Sequence, residues 1–447
     1  MAPLRCSPLA LLAVAASAAG AAADGTFNVV SFNVAGLPEI LQNNGESGDK
    51  TTNTALIGEK FAEQGFDLIH VQEDFNYHAT LYEYDNHAYR TATSGGAAIG
   101  SGLNSLSNYD WRDFTRIKWD TCSDASGSDC LTPKGFTYMR WRLAEGVYVD
   151  AYNLHADAGT EDDDESARNA NLAQVSAYIE STSPDAAVLV FGDTNCRYTR
   201  TADNIDIFSN ANNLTDVWMH LKLNDVRPTV EDVCANPAQS ETCEVVDKIF
   251  YRPSPLLSLT PTNFSYIGKL FLSDPTNSSS TLSDHNPLYA DFAWAASSTL
   301  RSSDFLGGPH GTAFSDVGAL ANLSSSPSPA GATLSFSGAE RLDAVGIALA
   351  DGTTSFSHGG SGGTAVSLVM GSGEYVNNVT LCQDKYNDHT RIFYLEATTN
   401  GGNSASTGTI GSDCLVSVAP EGWGLVGFWG RDGDEVDMLA AIWAPAS

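Results

Sequence analysis

The chain has 447 residues, with 54 Asp and Glu against 23 Lys and Arg, and a formal net charge of −31. A chain of this length can form two or three domains, each with its own core. The negative charge argues against broad capture of nucleic acid, because such binding depends on Lys and Arg displacing counterions from phosphates.

The first residues have the three parts of a secretion signal. Arg5 gives a positive start, residues 9–19 form an apolar centre, and residues 21–23 are alanines typical of a cleavage site. The apolar run is too short for a transmembrane helix, and no later segment resembles one. We therefore expect residues 1–23 to be removed and the mature protein to be secreted and extracellular. The alternative is an N-terminal anchor.

Strand-like apolar runs alternate with two helical patterns over residues 26–294. The runs are Phe27–Val34, Phe66–Val71, Tyr138–Leu143, Val147–Leu154, Ala186–Phe191 and Val245–Arg252. The helical patterns cover Thr54–Gln64 and Ser166–Glu180. The acidic residues 161–165 precede the second pattern, and we interpret them as a solvated helix start rather than a cation site. The alternation predicts one α/β domain.

Two short segments, far apart in the sequence, carry side chains suited to a hard cation and to proton transfer. In the first, Gly192 is predicted to turn the chain tightly, so that Asp193 and Asn195 leave one strand end together. In the second, Asp284 and His285 offer a carboxylate and an imidazole. Oxygen ligands suit Mg2+, and a neighbouring imidazole can act as a base toward water. These segments predict metal-assisted hydrolysis of a phosphate ester.

Three further polar residues, Asn33, Glu73 and His155, also stand at or beside the ends of strand-like runs. Each one alone fits a turn residue, an exposed strand end or a satisfied imidazole. In layered α/β folds, however, such strand ends converge on one rim. We therefore expect all of these side chains to meet in one cleft.

In this order, the segments resemble the endonuclease/exonuclease/phosphatase superfamily. The matching segments are Ser31–Val34, Val71–Glu73, Asn153–His155, Gly192–Asn195, Val246–Phe250 and Ser283–Pro287. The resemblance implies that residues 26–294 form a four-layer α/β sandwich, with two mixed sheets face to face between helices. It also implies that Glu73 is the main ligand of a Mg2+ ion, with Asn33 and Asp284 nearby. Mn2+ and Ca2+ are the alternative ions.

The resemblance implies catalytic roles for His155, Asp193, Asn195, Asp247 and His285. His285 would be the general base, oriented by a carboxylate that is either Asp247 or its own neighbour Asp284. Asp193 and Asn195 would hold the attacking water, the phosphate or the metal. His155 would contact the phosphate and assist the leaving group. Water would attack in line, without a covalent enzyme intermediate.

Two substrate classes are open within this superfamily. Secreted sphingomyelinases and phospholipase C-like members share the Gln-Glu, Asn-x-His and Ser-Asp-His elements, and the stretch Lys134–Phe136 resembles theirs. An aromatic loop (Tyr109, Trp111, Phe114, Trp119) would then touch a membrane peripherally, or else belong to the core. Deoxyribonuclease I-like members cleave nucleic acid instead. The arginines that would serve there are Arg112, Arg116, Arg140, Arg142, Arg197 and Arg200. The acidity and the missing basic stripe favour a phospholipid head group.

Extracellular cysteines are expected to pair. Eight cysteines are present, and the loss of Cys6 with the signal leaves seven. The predicted bridges are Cys122–Cys130, Cys234–Cys243 and Cys382–Cys414. Cys196 would remain as a buried free thiol; a nucleophilic role would require a nearby base that the sequence does not show. Candidate glycosylation sites are Asn213, Asn263, Asn277, Asn322 and Asn378.

Composition changes after Trp294. Residues 295–301 read as a linker, and beyond them Gly, Ser and Thr dominate with short alternating runs, which predicts an all-β domain. Residues 302–444 resemble a jacalin-type lectin, a three-sheet β-prism that binds glycans. The resemblance implies a carbohydrate site at Gly308, Gly433, Asp434, Glu435 and Asp437. A lectin with a degenerate enzyme domain is a third reading of the whole chain.

Overall fold

The computed structural model describes residues 24–38, 48–94, 100–127 and 129–446. The predicted secretion signal, residues 1–23, lies outside these ranges. The described residues fold into two compact units, one within residues 24–301 and one over residues 302–446. Within the described ranges, no helix combines the length and the apolar character needed to cross a bilayer.

The first unit contains twelve strands, five α-helices and two short 3-10 helices (Asp129–Leu131 and Gly268–Leu270) within its described residues. In chain order the strands are β1 (Asp24–Asn33), β2 (Leu68–Gln72), β3 (Tyr89–Arg90), β4 (Asn104–Ser107), β5 (Trp111–Lys118), β6 (Gly135–Ala144), β7 (Val147–His155), β8 (Val188–Asp193), β9 (Thr215–Asp216), β10 (Asp247–Arg252), β11 (Leu257–Tyr266) and β12 (Leu288–Ala296). The helices are α1 (Lys50–Gln64), α2 (His78–Tyr84), α3 (Asp162–Thr182), α4 (Ile207–Asn212) and α5 (Val217–Leu223).

These strands form two six-stranded mixed sheets. The first sheet has the order β11-β12-β1-β2-β4-β3, and the second has the order β5-β6-β7-β8-β10-β9. Strand β1 is parallel to β2, and β7 is parallel to β8, whereas the other neighbours are antiparallel. Parallel neighbours require long crossover connections, which α1 and α3 provide.

The two sheets pack face to face between helices. On one face of β1, Phe27 meets Trp141 of β6 edge-on, with ring centroids 5.1 Å apart. On the other face, Phe32 meets Phe61 of α1 at 6.4 Å. Tyr178 of α3 packs against the outer face of the second sheet. The predicted four-layer α/β sandwich is therefore confirmed, and β1 is buried on both faces from Val29 to Asn33.

Both predicted helices are present, and both begin four residues earlier than predicted, at Lys50 and Asp162. The side chain of Asp49 caps α1 by accepting a hydrogen bond from the first turn. At α3, Glu161 and Asp164 form a capping box. The acidic run is thus a helix start, as predicted, because carboxylates stabilise the backbone N–H groups there. Asp164 differs from the prediction in being buried rather than solvated, with Ser123 donating to it.

The four aromatics for which a membrane-contacting loop and a core position were the two alternatives lie in or beside strand β5. Trp119 is 6 % exposed and packs on Phe136, with centroids 5.4 Å apart. Tyr109, Trp111 and Phe114 are partly buried against the same core. The core alternative for these aromatics is therefore the correct one, since burial of aromatic surface outweighs exposure on a loop.

The second unit is all-β apart from one short helix, α6 (Val317–Ala321), in its described residues. Its strands are β13 (Arg301–Ser302), β14 (Leu306–Gly307), β15 (Thr312–Ser315), β16 (Thr333–Gly338), β17 (Leu342–Ala348), β18 (Ser355–Gly359), β19 (Thr364–Val369), β20 (Val376–Tyr386), β21 (His389–Thr399), β22 (Ser404–Gly408), β23 (Asp413–Val418), β24 (Trp423–Asp432) and β25 (Val436–Pro445). They form three sheets with antiparallel pairing, which is the predicted β-prism.

The cysteines pair as predicted. The three disulfides are Cys122–Cys130, Cys234–Cys243 and Cys382–Cys414. Cys196 is a buried free thiol. Burial raises the pKa of this thiol to about 12, and the charge of Asp203 adds to the effect. Cys196 therefore lacks the thiolate character of a nucleophile.

Candidate active site

Strand direction brings the predicted polar residues to one edge of the sandwich. Asn33 and Gln72 are register partners at the ends of parallel β1 and β2. His155 and Asp193 are partners at the ends of parallel β7 and β8. Strand β10 runs antiparallel to β8, so that its first residue, Asp247, lies opposite Asp193. The carboxyl ends of both parallel pairs and the start of β10 therefore build one rim.

A cleft of about 680 Å3 opens at this rim. Its lining includes six of the eight residues that we predicted for metal binding and catalysis: Glu73, His155, Asp193, Asn195, Asp284 and His285. The other two, Asn33 and Asp247, are 0 % and 2 % exposed and hydrogen-bond to cleft residues from behind. The structure thus brings the whole predicted set together.

His285 lies between two carboxylates. Its Nδ1 is 2.9 Å from Oδ2 of Asp247, and its Nε2 is 3.8 Å from Oδ2 of Asp193. Burial acts to lower the pKa of His285, but the charges of Asp247 and Asp193 outweigh it and raise the pKa well above its usual value. Burial also raises the pKa of Asp193, to about 6. Of the two carboxylates expected to orient His285, Asp247 holds Nδ1.

Glu73 directly follows β2 and has a left-handed backbone, with φ at 56°. This conformation is uncommon for a residue with a Cβ and is often found at functional sites. Its Oε1 accepts a hydrogen bond from Nδ2 of Asn33 at 3.1 Å. Its Oε2 is buried and has no hydrogen-bond partner among the described residues. Burial raises the pKa of Glu73, and the nearby charge of Lys134 opposes the rise.

Asn33 connects the carboxylates of the cleft through its amide NH2 group. Nδ2 donates to Glu73 and, at 3.2 Å, to Oδ2 of Asp193. The amide oxygen accepts from the backbone N–H of Ala35 at 3.1 Å. In this geometry Asn33 orients two acids with its donor end, while its oxygen serves the turn after β1. Its role as a direct metal ligand remains a prediction.

Lys134 is a cleft residue that we did not predict as part of the site. Its Nζ lies 3.1 Å from Nε2 of His155 and pairs with Asp129. His155 Nε2 is also 3.4 Å from Oδ2 of Asp193. Burial, reinforced by the charges of Lys134 and His285, lowers the pKa of His155 well below its usual value. The only sequence signal for Lys134 was its place in the Lys134–Phe136 stretch.

Asp193 and Asn195 leave β8 together, but the reason differs from the one we predicted. Gly192 is an extended strand residue and does not form a turn. A Cβ at Gly192 would lie 2.2 Å from the carbonyl oxygen of Leu154, so only glycine permits this close approach of β8 to β7. The change of direction comes at Asn195, where φ is 53°. The backbone N–H of Asn195 donates to Asp193 at 3.0 Å.

Donor groups suited to a cation occur at two neighbouring places in the cleft. Ligand atoms of Asp193, Asp247 and His285 all lie within 4.8 Å of one another. The predicted ligand Glu73 offers a buried oxygen, Oε2, that lacks a partner, and the charge of Asp284 acts on this carboxyl group. A buried carboxylate oxygen without a donor is costly unless a cation satisfies it. The residues present therefore fit a hard divalent ion.

Three of the six arginines expected to contact nucleic acid, Arg116, Arg140 and Arg200, are engaged within the first unit. Arg140 is buried and binds Asp150 through two hydrogen bonds of 2.8 and 3.0 Å. Arg116 donates to Oδ1 of Asn104 at 2.7 Å. Arg200 lies 2.9 Å from Asp203. None of these three lines the cleft.

In the second unit, the predicted carbohydrate residues lie in and beside the loop between β24 and β25. The backbone N–H of Gly308 donates to the carbonyl of Asp437 at 2.9 Å. Glu435 binds Arg341 through two hydrogen bonds of 2.6 Å. Gly433 donates its N–H to the carbonyl of Glu435 at 2.9 Å, which closes the loop.

Asp437 differs from a freely accessible sugar ligand. It is 4 % exposed, and Nη1 of Arg391 lies 2.6 Å from its Oδ1, as a charge contact rather than an aligned hydrogen bond. Burial raises the pKa of Asp437 to about 6, against the opposing charge of Arg391. The backbone of the neighbouring Asp434 packs closely against the turn after β18. A Cβ on Gly360 in that turn would lie 2.1 Å from the carbonyl oxygen of Asp434.

Fold and site together define a two-part protein: an α/β sandwich with an acid- and imidazole-lined cleft, followed by a β-prism. Residues 36–291 match the Endonuclease/Exonuclease/phosphatase family 2, and the chain belongs to this family. Residues 303–442 match the Jacalin-like lectin domain. Both resemblances drawn from the sequence are therefore confirmed.

The chain is similar to a protein described as sphingomyelinase from Mycobacterium tuberculosis, with 32% identity over 279 residues, 61% of this chain and 54% of the relative. The chain thus spans about half the length of the curated relatives it matches. Among solved structures, beta toxin from Staphylococcus aureus has a TM-score of 0.42 and 18% identity, over 59% of this chain and 99% of that one. Malaysian banana lectin has a TM-score of 0.28 and 20% identity, over 32% and 97%.

Proposed function

We propose that the protein is a secreted, metal-dependent phosphodiesterase that acts on phospholipid head groups and binds glycans through its second unit. One observation carries the proposal: His285, held by Asp247, faces Asp193 in the same cleft as Glu73. An oriented imidazole beside buried carboxylates is the arrangement needed to activate water next to a cation-bound phosphate.

Each residue of the cleft has its own role in the proposed reaction. His285 accepts a proton from the attacking water at Nε2, since Asp247 occupies Nδ1 and stabilises the imidazolium that results. Asp193 and Asn195 orient that water at the ends of the paired strands. His155, with Lys134 at 3.1 Å, lies where it can contact the phosphate and the leaving oxygen. Asn33 keeps two of the acids in place.

Glu73 would hold the divalent ion, with Asp284 as a second donor and Asn33 beside them. Mg2+ is our first choice, and Mn2+ and Ca2+ are the alternatives, because the donors are oxygens. When bound, the ion would offset the carboxylate charge and stabilise negative charge on the phosphate oxygens. The unpartnered Oε2 of Glu73 supports this placement.

Phospholipid is favoured over nucleic acid for two reasons. The relatives with 32% identity are described as sphingomyelinases. In addition, three of the six arginines that would have contacted a nucleic-acid backbone are bonded within the protein, and the net charge is −31. The aromatic strand β5 does not support membrane contact, because its side chains pack on the core.

The deciding experiment is a parallel assay of the purified protein with Mg2+. Sphingomyelin vesicles, phosphatidylcholine vesicles, plasmid DNA and a phosphomonoester are incubated separately, with a Glu73→Gln variant as the inactive control. Hydrolysis of one phospholipid class, lost in the variant, is expected. Cleavage of DNA alone would establish the nuclease alternative. Unchanged activity in Glu73→Gln would refute the proposed catalytic site.

Glycan binding is tested separately. We expect retention on mannose or galactose resin through the backbone of residues 433–435 and the carboxylate of Asp437. The Asp437→Ala variant should lose retention, while Glu421→Ala, at an exposed position, should keep it. Failure of the wild-type protein to bind any glycan surface would leave the β-prism with a purely structural role.

A further inference from the structure

A pair of histidines in the second unit lies outside both the catalytic cleft and the predicted sugar ligands. His389 Nδ1 is 3.1 Å from Nδ1 and 3.1 Å from Nε2 of His310, and the ring centroids are 4.2 Å apart. His389 is exposed, and His310 is half-buried. From this geometry we propose that His310 and His389 form a binding site for a transition-metal ion of the Zn2+ class.

The backbone holds His389 in place. It is the first residue of β21 and pairs with Tyr386 across the turn formed by Asn387 and Asp388. Both turn residues have positive φ, at 50° and 63°. This is the two-residue hairpin turn whose twist matches the strands it joins, so the start of β21 has little freedom.

The segment that carries His310 is fixed against the same strand. A Cβ on Gly308 would lie 2.6 Å from the carbonyl oxygen of Thr390, which shows how closely the two backbones approach. The Gly308 N–H is also bonded to the carbonyl of Asp437. Because Thr390 directly follows His389, the two imidazoles start from backbones that are held side by side.

The distance between the ring nitrogens suits one shared ion. Zinc binds imidazole nitrogen at about 2.0–2.1 Å, so two nitrogens on a tetrahedral ion lie roughly 3.3 Å apart. His389 Nδ1 is 3.1 Å from both ring nitrogens of His310, so the His310 ring must turn to direct one of them at a shared ion. Imidazole favours Zn2+, Cu2+ and Ni2+ over Mg2+ and Ca2+. The exposure of His389 lets water complete the coordination.

The ion would lie at the edge of the predicted carbohydrate loop, since Gly308 and Asp437 are bonded neighbours of this segment. The chain's net charge of −31 favours the approach of any cation. The site differs in kind from the catalytic cleft, where carboxylate oxygens dominate. The histidine pair offers two nitrogen donors, which are softer ligands than the carboxylate oxygens of the cleft, and neither histidine has a predicted catalytic role. It is therefore a separate metal site.

The test is calorimetric titration of Zn2+ into untagged, chelator-treated full-length protein at pH 7.5, with excess Mg2+ present to occupy the hard-cation cleft. The double variant His310→Gln/His389→Gln should bind one equivalent fewer than the wild type. His220→Gln removes an exposed histidine on α5 that pairs with Asp225 and lies near the ring of Tyr251, and it should bind as the wild type does. In the wild type, lowering the pH to 5.5 should weaken Zn2+ binding at this site at least tenfold, because imidazole must be neutral to bind.

A second measurement separates binding from folding defects. Histidine Cε1–H resonances of both His310 and His389 should shift or broaden on addition of Zn2+ to the wild type. If the double variant melts at a lower temperature, the single surface variant His389→Gln replaces it, with at least tenfold weaker binding expected. Unchanged stoichiometry and affinity in the variants, or no response of the two resonances, would overturn the proposal.

Discussion

His285 Nδ1 lies 2.9 Å from Oδ2 of Asp247, although the two residues are 38 positions apart in the sequence. The contact exists because β10 begins opposite the end of β8, which places Asp247 beneath the loop that precedes β12. It fixes one ring nitrogen and leaves Nε2 facing Asp193. The first prediction follows from this pair.

Replacement of Asp247 by Asn should lower kcat roughly 10²- to 10⁴-fold on a small soluble phosphodiester. The active base is neutral imidazole, so activity falls as the pH drops through the pKa of His285. Asp247 and Asp193 raise that pKa, and the wild-type fall should therefore begin above the ordinary value of about 6.5. In Asp247→Asn this fall in activity on the acid side of the profile, the acid limb, should move to lower pH, because the charge that raises the pKa of His285 is removed.

The measurement is kcat against pH from 5 to 9 at saturating Mg2+, with the His285 Cε1–H resonance as a direct titration probe. Asp225→Asn removes the acid of a second, exposed Asp–His pair and serves as the matched control. An acid limb at the same pH in Asp247→Asn and the wild type would show that His285 is not the base.

The second prediction concerns Glu73. The Glu73→Gln change keeps the shape and removes the charge, so Mg2+ affinity should fall at least about tenfold and hydrolysis should be lost. Without metal, the variant should melt at the same or a higher temperature, since burial raises the pKa of Glu73 and its charge is costly. Glu63→Gln, on an exposed face of α1, is the control. A lower melting temperature with intact Mg2+ affinity would assign Glu73 a structural role only.

Lys134 is the subject of the third prediction. Its positive charge lowers the pKa values of both Glu73 and Asp193, opposing the effect of burial. The Lys134→Met variant should therefore raise both carboxyl pKa values, weaken Mg2+ binding at neutral pH and reduce kcat about 10²-fold. Raising the pH should restore part of the Mg2+ affinity. Lys118→Met, at the exposed end of β5, should change neither quantity. A loss of kcat that is independent of pH would contradict the electrostatic explanation.

The fourth prediction concerns Cys196. This thiol is 0 % exposed, and burial raises its pKa to about 12. Iodoacetamide should leave the folded protein unlabelled at pH 8 and add a single label in denaturant without reductant. Mass spectrometry of tryptic peptides locates the label. Labelling of the native protein within minutes, or a second labelled cysteine in denaturant, would contradict this assignment.

The fifth prediction separates the two units. Removal of residues 302–447 should leave hydrolysis of a small soluble phosphodiester nearly intact, because every proposed catalytic residue lies before residue 294. Activity on glycolipid-containing vesicles should fall more steeply, since a glycan tether raises the local substrate concentration. Circular dichroism confirms that the shortened protein is folded. Equal loss on both substrates by a folded protein would make the second unit part of the catalytic machinery.

Much of the site could be predicted because its residues occur in short segments that end strands. Asn33, Glu73, His155, Asp193 and His285 each follow or precede an apolar run that the sequence shows directly. Strand ends of a layered α/β fold meet at one rim, so the pattern alone predicts a shared cleft. Two disulfides were predictable because cysteines 8 and 9 residues apart in an oxidised chain staple local loops. The third was predictable because Cys382 and Cys414 both lie in the C-terminal part.

The tertiary structure decided what depends on neighbours distant in the sequence. No local pattern shows that Lys134 reaches His155, or that Gln72 of β2 donates to Asn153 of β7 at 2.8 Å and ties the two sheets together behind the cleft. Gly192 illustrates the same limit. The sequence suggests a turn, but the need for glycine comes from a neighbouring strand 2.2 Å from where its Cβ would be.

The sequence by itself determined the strand ends, the chemical types at each end and the cysteine pairs, since these follow from local periodicity and spacing. Only the tertiary structure decided which acid holds His285, which pKa values move and that Asp437 is buried beside Arg391. The physical reason is that charge interactions and burial depend on distances across the fold. Those distances are set by sheet register and packing, which sequence periodicity does not contain.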